Sequence, residues 1–395
     1  MSTESHPLSF DDTAIAFSYK SDSELSKANW LFGMMNNNAL VKIGTSLTPL
    51  AIKWHLPING IVRNTIYSQF CGGEVLAECK PVVDRLAEFH VNTILDYGVE
   101  GYETEENFQA NLQEMLNAIA FAKEDGNIPF ASIKVTGYAR FALLEKIDRG
   151  ELLNDQEKEE WQKAKLRIRE ACASAKANGI SLMIDAEESW IQKTVDDMTN
   201  EMMSDFNKEK AVVQNTYQLY RRDRLEYLRE SIEMAKRGNY LLGAKLVRGA
   251  YMEKERRRAI QMNYDSPIYP DKKSTDDAFN DAIKLCIENI DRVCLCVASH
   301  NENSNGLAAD LAKQKNIPAN HPHLHFSQLY GMSDNLTFNL AAAGYNASKY
   351  LPYGPVKDVV PYLMRRAKEN TSVSGQTGRE LGLLRKEMKR RKTIS

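Results

Sequence analysis

Between residues 91 and 353 the chain alternates short apolar runs, rich in β-branched residues, with long charged segments whose apolar positions recur at helical spacing. The runs predict eight strands: Val91 to Tyr97, Ala131 to Gly137, Ser181 to Ala186, Ala211 to Tyr217, Gly243 to Ala250, Val293 to Ser299, Leu324 to Gly331 and Ala347 to Tyr353. Near-continuous apolar character implies strands covered on both faces, and a helical segment between successive runs implies right-handed parallel crossovers. Closure at eight predicts an α/β chain built on a (βα)8 TIM-like barrel. The doubly wound open sheet is the alternative. It is disfavoured because no GxGxxG follows the first run and no GxxxxGK[ST] occurs.

Residues 1–90 predict an N-terminal helical region, with apolar positions at helical spacing in Leu25 to Met35 and Val75 to Phe89. The barrel is expected over 91–375 and a basic C-terminal tail over 376–395. The highly charged Asp148 to Lys176 reads as an extended crossover helix or an insertion. After the last run, Pro352, Gly354 and Pro355 signal a turn, and a helix then carries Arg365, Arg366 and Glu369. Arg365 and Glu369 are four apart and share a face, whereas Arg366 points about 100° away. Two adjacent guanidiniums suit bidentate capture of a carboxylate or phosphate. The plainer alternative is a solvated basic face.

Composition narrows the partners. The chain is 43% hydrophobic and 26% charged, and 51 basic residues against 53 acidic ones leave no electrostatic footprint for nucleic acid. Six cysteines form no CxxC pair, which fits a reducing compartment. The first twenty residues carry Glu4, Asp11 and Asp12 and show no signal or transit peptide, so a cytoplasmic location is expected. Ala39 to Trp54 is apolar, but Lys42, Pro49 and Lys53 interrupt it. It reads as a packed helix, with a peripheral membrane role open.

In a barrel of this kind the chemistry sits at the C-terminal ends of the strands. The polar residues there are Asp96 and Tyr97, Lys134 and Thr136, Asp185 with Glu187 and Glu188, Gln214, Lys245 with Arg248 to Tyr251, Ser299 with His300, Gln328 to Gly331, and Tyr350. Lys134 and Lys245 sit in apolar runs, and Asp96 and Asp185 are their candidate partners. One reading of such lysines is a Schiff-base lyase on Lys134. Another is a barrel without catalysis that serves as a binding module. His321-Pro-His323-Leu-His325 resembles a metal cluster, but it opens the seventh run at the wrong end of a barrel and lacks a carboxylate or cysteine partner nearby. No metal site is expected.

Seven blocks occur in the order of one family: SIKVTG, MIDAEES, VVQNTYQ, KLVRGAY, ASHN, QLYGM, and YLPYG followed by YLMRRAKEN. Over about residues 90–375 the chain resembles the proline dehydrogenases, flavin-dependent barrel enzymes that occur alone or as one half of bifunctional proline utilisation proteins. The resemblance implies oxidation of L-proline to Δ1-pyrroline-5-carboxylate, the first step of proline catabolism, with hydride passing to N5 of a non-covalent FAD.

Carried onto this sequence, it implies that Arg365, Arg366 and Lys134 hold the carboxylate of proline, with Glu369 bracing the arginines. Tyr350 would pack on the pyrrolidine ring, and a tyrosine there goes with proline where relatives that prefer hydroxyproline carry serine. Asp185, Lys245 and Tyr251 would act at the reacting centre. Gln214, Lys245, Arg248, Gly249, Ala250, Ser299, His300 and Leu329 match flavin-contacting positions. The family often has arginine where this chain has Lys245, and the adenylate-end pattern near Pro270 to Lys273 is weak. The implied partners are a quinone or other electron acceptor, with peripheral contact at the inner membrane, and a separate pyrroline-5-carboxylate dehydrogenase.

Overall fold

The computed structural model describes residues 8–37, 39, 41, 59–99, 101, 103–372 and 376–394, without the side chains of residues 59, 61, 368–372, 376 and 377. The stretch from Ala39 to Trp54 falls outside the described residues except at Ala39 and Val41.

Eight strands close a barrel in chain order: β1 (Val91–Tyr97), β2 (Phe130–Ile133), β3 (Ser181–Ile184), β4 (Val213–Gln218), β5 (Leu242–Val247), β6 (Val293–Ala298), β7 (Leu324–Leu329) and β8 (Asn346–Tyr353). The registered pairs from β1 to β7 are all parallel. The expected fold class holds, because β2, β3 and β4 are buried along their whole length, as strands beneath crossover helices must be.

Only β1 keeps its expected bounds, and three of the differences bear on the site or on the crossover after β2. β2 ends at Ile133, and Lys134 caps a 3₁₀ turn, Val135–Gly137, that the apolar pattern had placed within the strand. β4 runs to Gln218, one residue beyond the expected end. The charged crossover after β2 is two helices, Phe141–Asp148 and Asp155–Asn178. Gly150 takes a φ of +70° between them, and Asn154 starts the second with a capping box to Glu157.

The chain divides into two compact units: residues 94–97 with 101–327, and residues 1–93, 98–100 and 328–395. The first holds strands β2 to β6 with their helices. Asn215 of β4 donates to Asp196 on the covering helix Ser189–Phe206 at 3.0 Å, so Asn215 faces outward and its neighbours Gln214, Thr216 and Gln218 face inward.

The second unit has a core in which Phe17, Leu25, Phe32 and Phe70 pack with Val359, Leu363 and Leu384. Helix Asp22–Met35 is opened by a capping box between Ser21 and Glu24. The basic C-terminal residues fold as helix Gln376–Ile394, and Arg391 bonds the carbonyls of Phe17 and Lys20, at 2.9 Å each, and Asp22 at 2.8 Å. At the turn after β7, Gly331 has a φ of +77°, and a Cβ there would lie 1.9 Å from the Gln69 carbonyl oxygen. Only glycine fits that approach.

Beside the same turn a charged cluster is buried. Lys349 of β8 is fully buried and lies 2.9 Å from Asp334 Oδ1, while Tyr19 donates its hydroxyl to Asp334 Oδ2 at 2.8 Å and Lys20 stands 3.6 Å from that oxygen. Ser333 donates its backbone N–H to Glu380, whose burial, reinforced by Asp334, pushes its carboxyl up to about 7.

Candidate active site

Lys245 on β5 is the centre of the polar interior of the first unit. Its register neighbours are Thr216 and Cys296, so it faces inward with Thr216. Its ammonium lies 2.5 Å from Asp185 Oδ1, and Ser132 donates its hydroxyl to the same oxygen at 2.9 Å. Both charged side chains are largely removed from solvent. Burial alone pushes the Asp185 carboxyl up. The ammoniums of Lys245 and Lys134 outweigh that effect and hold it below the usual carboxylate range. Asp96, also buried, closes β1 in register with Ser132.

Three residues beyond Lys245, Arg248 is fixed on three sides. It bonds Asp276 Oδ1 at 2.8 Å, Ser299 Oγ at 2.5 Å and Ser304 Oγ at 3.0 Å, and its guanidinium lies 4.4 Å from the Phe279 ring centre. This brings Ser299, at the end of β6, against the end of β5. Gly249 follows with a φ of +136°, where a Cβ would meet the Tyr220 ring at 2.4 Å. Ala250 and Tyr251 lead into helix Met252–Met262, with Tyr251 at its N-cap, and His300 sits half-buried beyond Ser299.

Gln214 lies near the start of β4, where its amide donates to Cys294 Sγ at 3.5 Å. Gln218, which the sequence reading left out, closes the same strand on the same inward face. Its placement at a C-terminal strand end is the signal that would have found it, had β4 been drawn one residue longer.

The second unit holds the other candidates. Tyr350 on β8 is buried, and its carbonyl accepts the Tyr330 N–H at 2.9 Å, just after Leu329, which is half-buried at the end of β7. Arg365 and Arg366 are adjacent on helix Val356–Ser372. Arg365 is half-buried, whereas Arg366 is buried with its guanidinium 5.0 Å from the Tyr362 ring centre. The Glu369 side chain falls outside the described residues.

A family model described as proline dehydrogenase matches residues 79–379. This chain belongs to the proline dehydrogenase family. Its relatives include the carbapenem antibiotics biosynthesis protein CarD of Pectobacterium carotovorum, 32% identical over 84% of this chain and 86% of that protein. Proline dehydrogenase 2, mitochondrial, of Arabidopsis thaliana is 31% identical over 84% of this chain and 79% of its own. Among solved structures, proline utilization A from Bdellovibrio bacteriovorus, inactivated by N-propargylglycine, aligns with a TM-score of 0.72 at 21% identity. That match covers 92% of this chain but 38% of the larger protein, and it speaks for the fold. Membership in a dehydrogenase family gives no support to the Schiff-base alternative on Lys134.

The donor set of this proline dehydrogenase fits a flavin. The side-chain carbonyl of Gln218, at the C-terminal end of β4, is a buried acceptor with no hydrogen-bond partner among the described residues and calls for a donor such as the imide N–H of an isoalloxazine. Gln214, expected at the cofactor, lies instead near the start of the strand against Cys294. Lys245 and Arg248 are cations of the kind that stabilise a reduced, anionic ring. The histidines of the HxHxH run are spent elsewhere. His323 and His325 bond the carbonyls of Ile290 and Pro322 at 2.7 and 2.9 Å, and burial pushes His325 down to about 4.

Proposed function

We propose that the enzyme oxidises L-proline to Δ1-pyrroline-5-carboxylate, the first step of proline catabolism, and that a non-covalent FAD, when bound, supplies the hydride acceptor at its N5. The inward Lys245–Asp185 pair, set in the same unit as the buried Gln218 carbonyl, is the observation that carries this reading.

Lys245, Arg248, Gly249, Ala250, Ser299 and His300 would hold the cofactor with Gln218, and Leu329 would wall it. The resemblance gives Arg365, Arg366 and Lys134 the task of gripping the substrate carboxylate. This fixes the ring carbon in place, and orientation is the main demand of the chemistry. Tyr350 packs on the pyrrolidine ring, and Tyr251 shapes the pocket. Asp185, kept ionised by its two lysine neighbours, accepts a hydrogen bond from the ring nitrogen, and water takes the proton of the substrate ammonium so that the amine is neutral when it gives up hydride.

The resemblance further supports a quinone or other electron acceptor, with peripheral contact at the inner membrane, and a pyrroline-5-carboxylate dehydrogenase that takes up the product. Among the described residues no helix is long and apolar enough to cross a membrane. Anaerobic addition of L-proline to the reconstituted protein should bleach the flavin absorbance. A reconstituted protein with bound FAD that stays oxidised under excess L-proline would end the proposal.

A further inference from the structure

The loop that leaves β3 carries two carboxylates, Asp185 and Glu187, of which the first grips β2 and the second the 3₁₀ turn that follows it. Ser132 donates to Asp185 Oδ1 at 2.9 Å. Four residues later, Thr136 donates its backbone N–H to Glu187 Oε1 at 3.1 Å and its hydroxyl to Oε2 at 2.5 Å. Lys134 lies midway between the two anchored residues, as the cap of the 3₁₀ turn Val135–Gly137. Burial lifts the Glu187 carboxyl to about 7 against the pull of Lys134 and Thr136, whereas Lys245 and Lys134 hold Asp185 below the usual carboxylate range.

Glu187 is itself held from behind. Its backbone N–H donates to Gln192 Oε1 at 2.8 Å, and Gln192 donates to Asp196 at 3.0 Å. Asp196 also accepts from Asn215 of β4 at 3.0 Å and from Arg224 at 2.6 Å. The Glu187 residue is 4% exposed, and both its carboxyl oxygens are spent on one residue of the Lys134 turn. A carboxylate can accept both Thr136 donors, whereas the amide of glutamine must turn an NH₂ group toward one of them.

We propose that Glu187 is a positioning residue for proline oxidation: by accepting both donors of Thr136 it fixes the turn that presents Lys134 to the substrate carboxylate. This rests on the role given to Lys134 above. Glu187 has no contact with substrate in this scheme and acts through the turn.

The test uses the flavin-loaded enzyme. Glu187→Gln should raise KM for L-proline roughly tenfold, the size expected for loss of a bond to a charged acceptor, and leave kcat within about twofold. Thr136→Val should do the same, and Thr136→Ser, which restores the hydroxyl, should bring KM back. In a Lys134→Met background, Glu187→Gln should raise KM no further. An equal rise in both backgrounds overturns the proposal, because Glu187 then acts on something other than Lys134.

If Lys134→Met leaves KM unmoved, the substrate role of Lys134 fails, and a second readout judges the positioning. After reductive ¹³C-methylation of lysines, the Lys134 resonance, assigned by its loss in Lys134→Arg, should move in Glu187→Gln. A shift upholds the positioning and an unmoved resonance overturns it. Should Glu187→Gln not fold, the Thr136→Val and Thr136→Ser pair carries the same kinetic and spectroscopic comparison.

Discussion

Lys245 Nζ and Asp185 Oδ1 stand 2.5 Å apart on the inner face of the barrel, an ion pair joining the middle of β5 to the end of β3. Each charge there is offset by its neighbour, so removing either one should tune a bound flavin in opposite directions. Lys245→Met should lower the midpoint potential and Asp185→Asn should raise it, each by ~30 mV, the two-electron equivalent of about 1.4 kcal/mol. Spectroelectrochemical titration reads both. Equal potentials in the two variants would make the pair purely structural.

The adjacent arginines should separate binding of substrate from binding of cofactor. Arg365→Ala or Arg366→Ala should raise KM for L-proline by roughly 10- to 150-fold, since a hydrogen bond to a charged group is worth about 1.5–3 kcal/mol. Flavin content, read from the ratio of visible to protein absorbance, should stay constant. Loss of flavin in both variants would assign the pair to the cofactor.

Tyr350 is 9% exposed and should set the choice of ring. A phenol over the pyrrolidine leaves no volume for a ring hydroxyl, and overpacking costs about 1–3 kcal/mol. Proline should therefore exceed trans-4-hydroxy-L-proline by roughly 10- to 100-fold in kcat/KM, and Tyr350→Ser should narrow the gap mainly by weakening proline. A ratio that Tyr350→Ser leaves unchanged would remove Tyr350 from the ring pocket.

Glu380 makes stability depend on pH. Its folded pKa, lifted by burial to about 7, lies above the ordinary glutamate value, so the folded chain binds a proton that the unfolded chain has lost. Stability from this group is therefore highest below about pH 4.5 and falls as pH rises to about 7, by on the order of 3 kcal/mol. Glu380→Gln, neutral at every pH, should gain on the native enzyme across that window in thermal melts. A difference between the two melts that is flat with pH would mean Glu380 is ionised when buried.

The barrel was readable because its strands are locally written. Each is a compact apolar run, and the helices between them leave one plausible way to close. The misreadings lie where local pattern and hydrogen bonding part. Val135 looks like strand but is in a 3₁₀ turn, because Thr136 is tied to Glu187, 51 residues away. The break between the two helices after β2 was marked by Asn154 three residues before Glu157, a capping signal that the charged run obscured.

Lys134, Lys245 and Asp185 were found because a charge inside an apolar run demands a partner. Gln218 was missed because a misplaced strand end hid it. Glu187 was named among the polar strand-end residues, but its bond to Thr136 in the turn after β2 joins positions 51 residues apart, which no local pattern shows.

The cluster around Asp334 bears on how such a chain can change over time. Lys349, Tyr19 and Lys20 all meet one carboxylate, and Lys349 is fully buried. Losing one partner of a buried pair strands the other charge at about 3–5 kcal/mol, whereas exchanging the pair for apolar residues is often neutral. Single substitutions at Asp334 or Lys349 should thus be filtered out, and paired ones should survive. Across descendants of this chain the two positions should drift together or not at all, with Tyr19, on a segment distant in sequence, following whenever the carboxylate is lost.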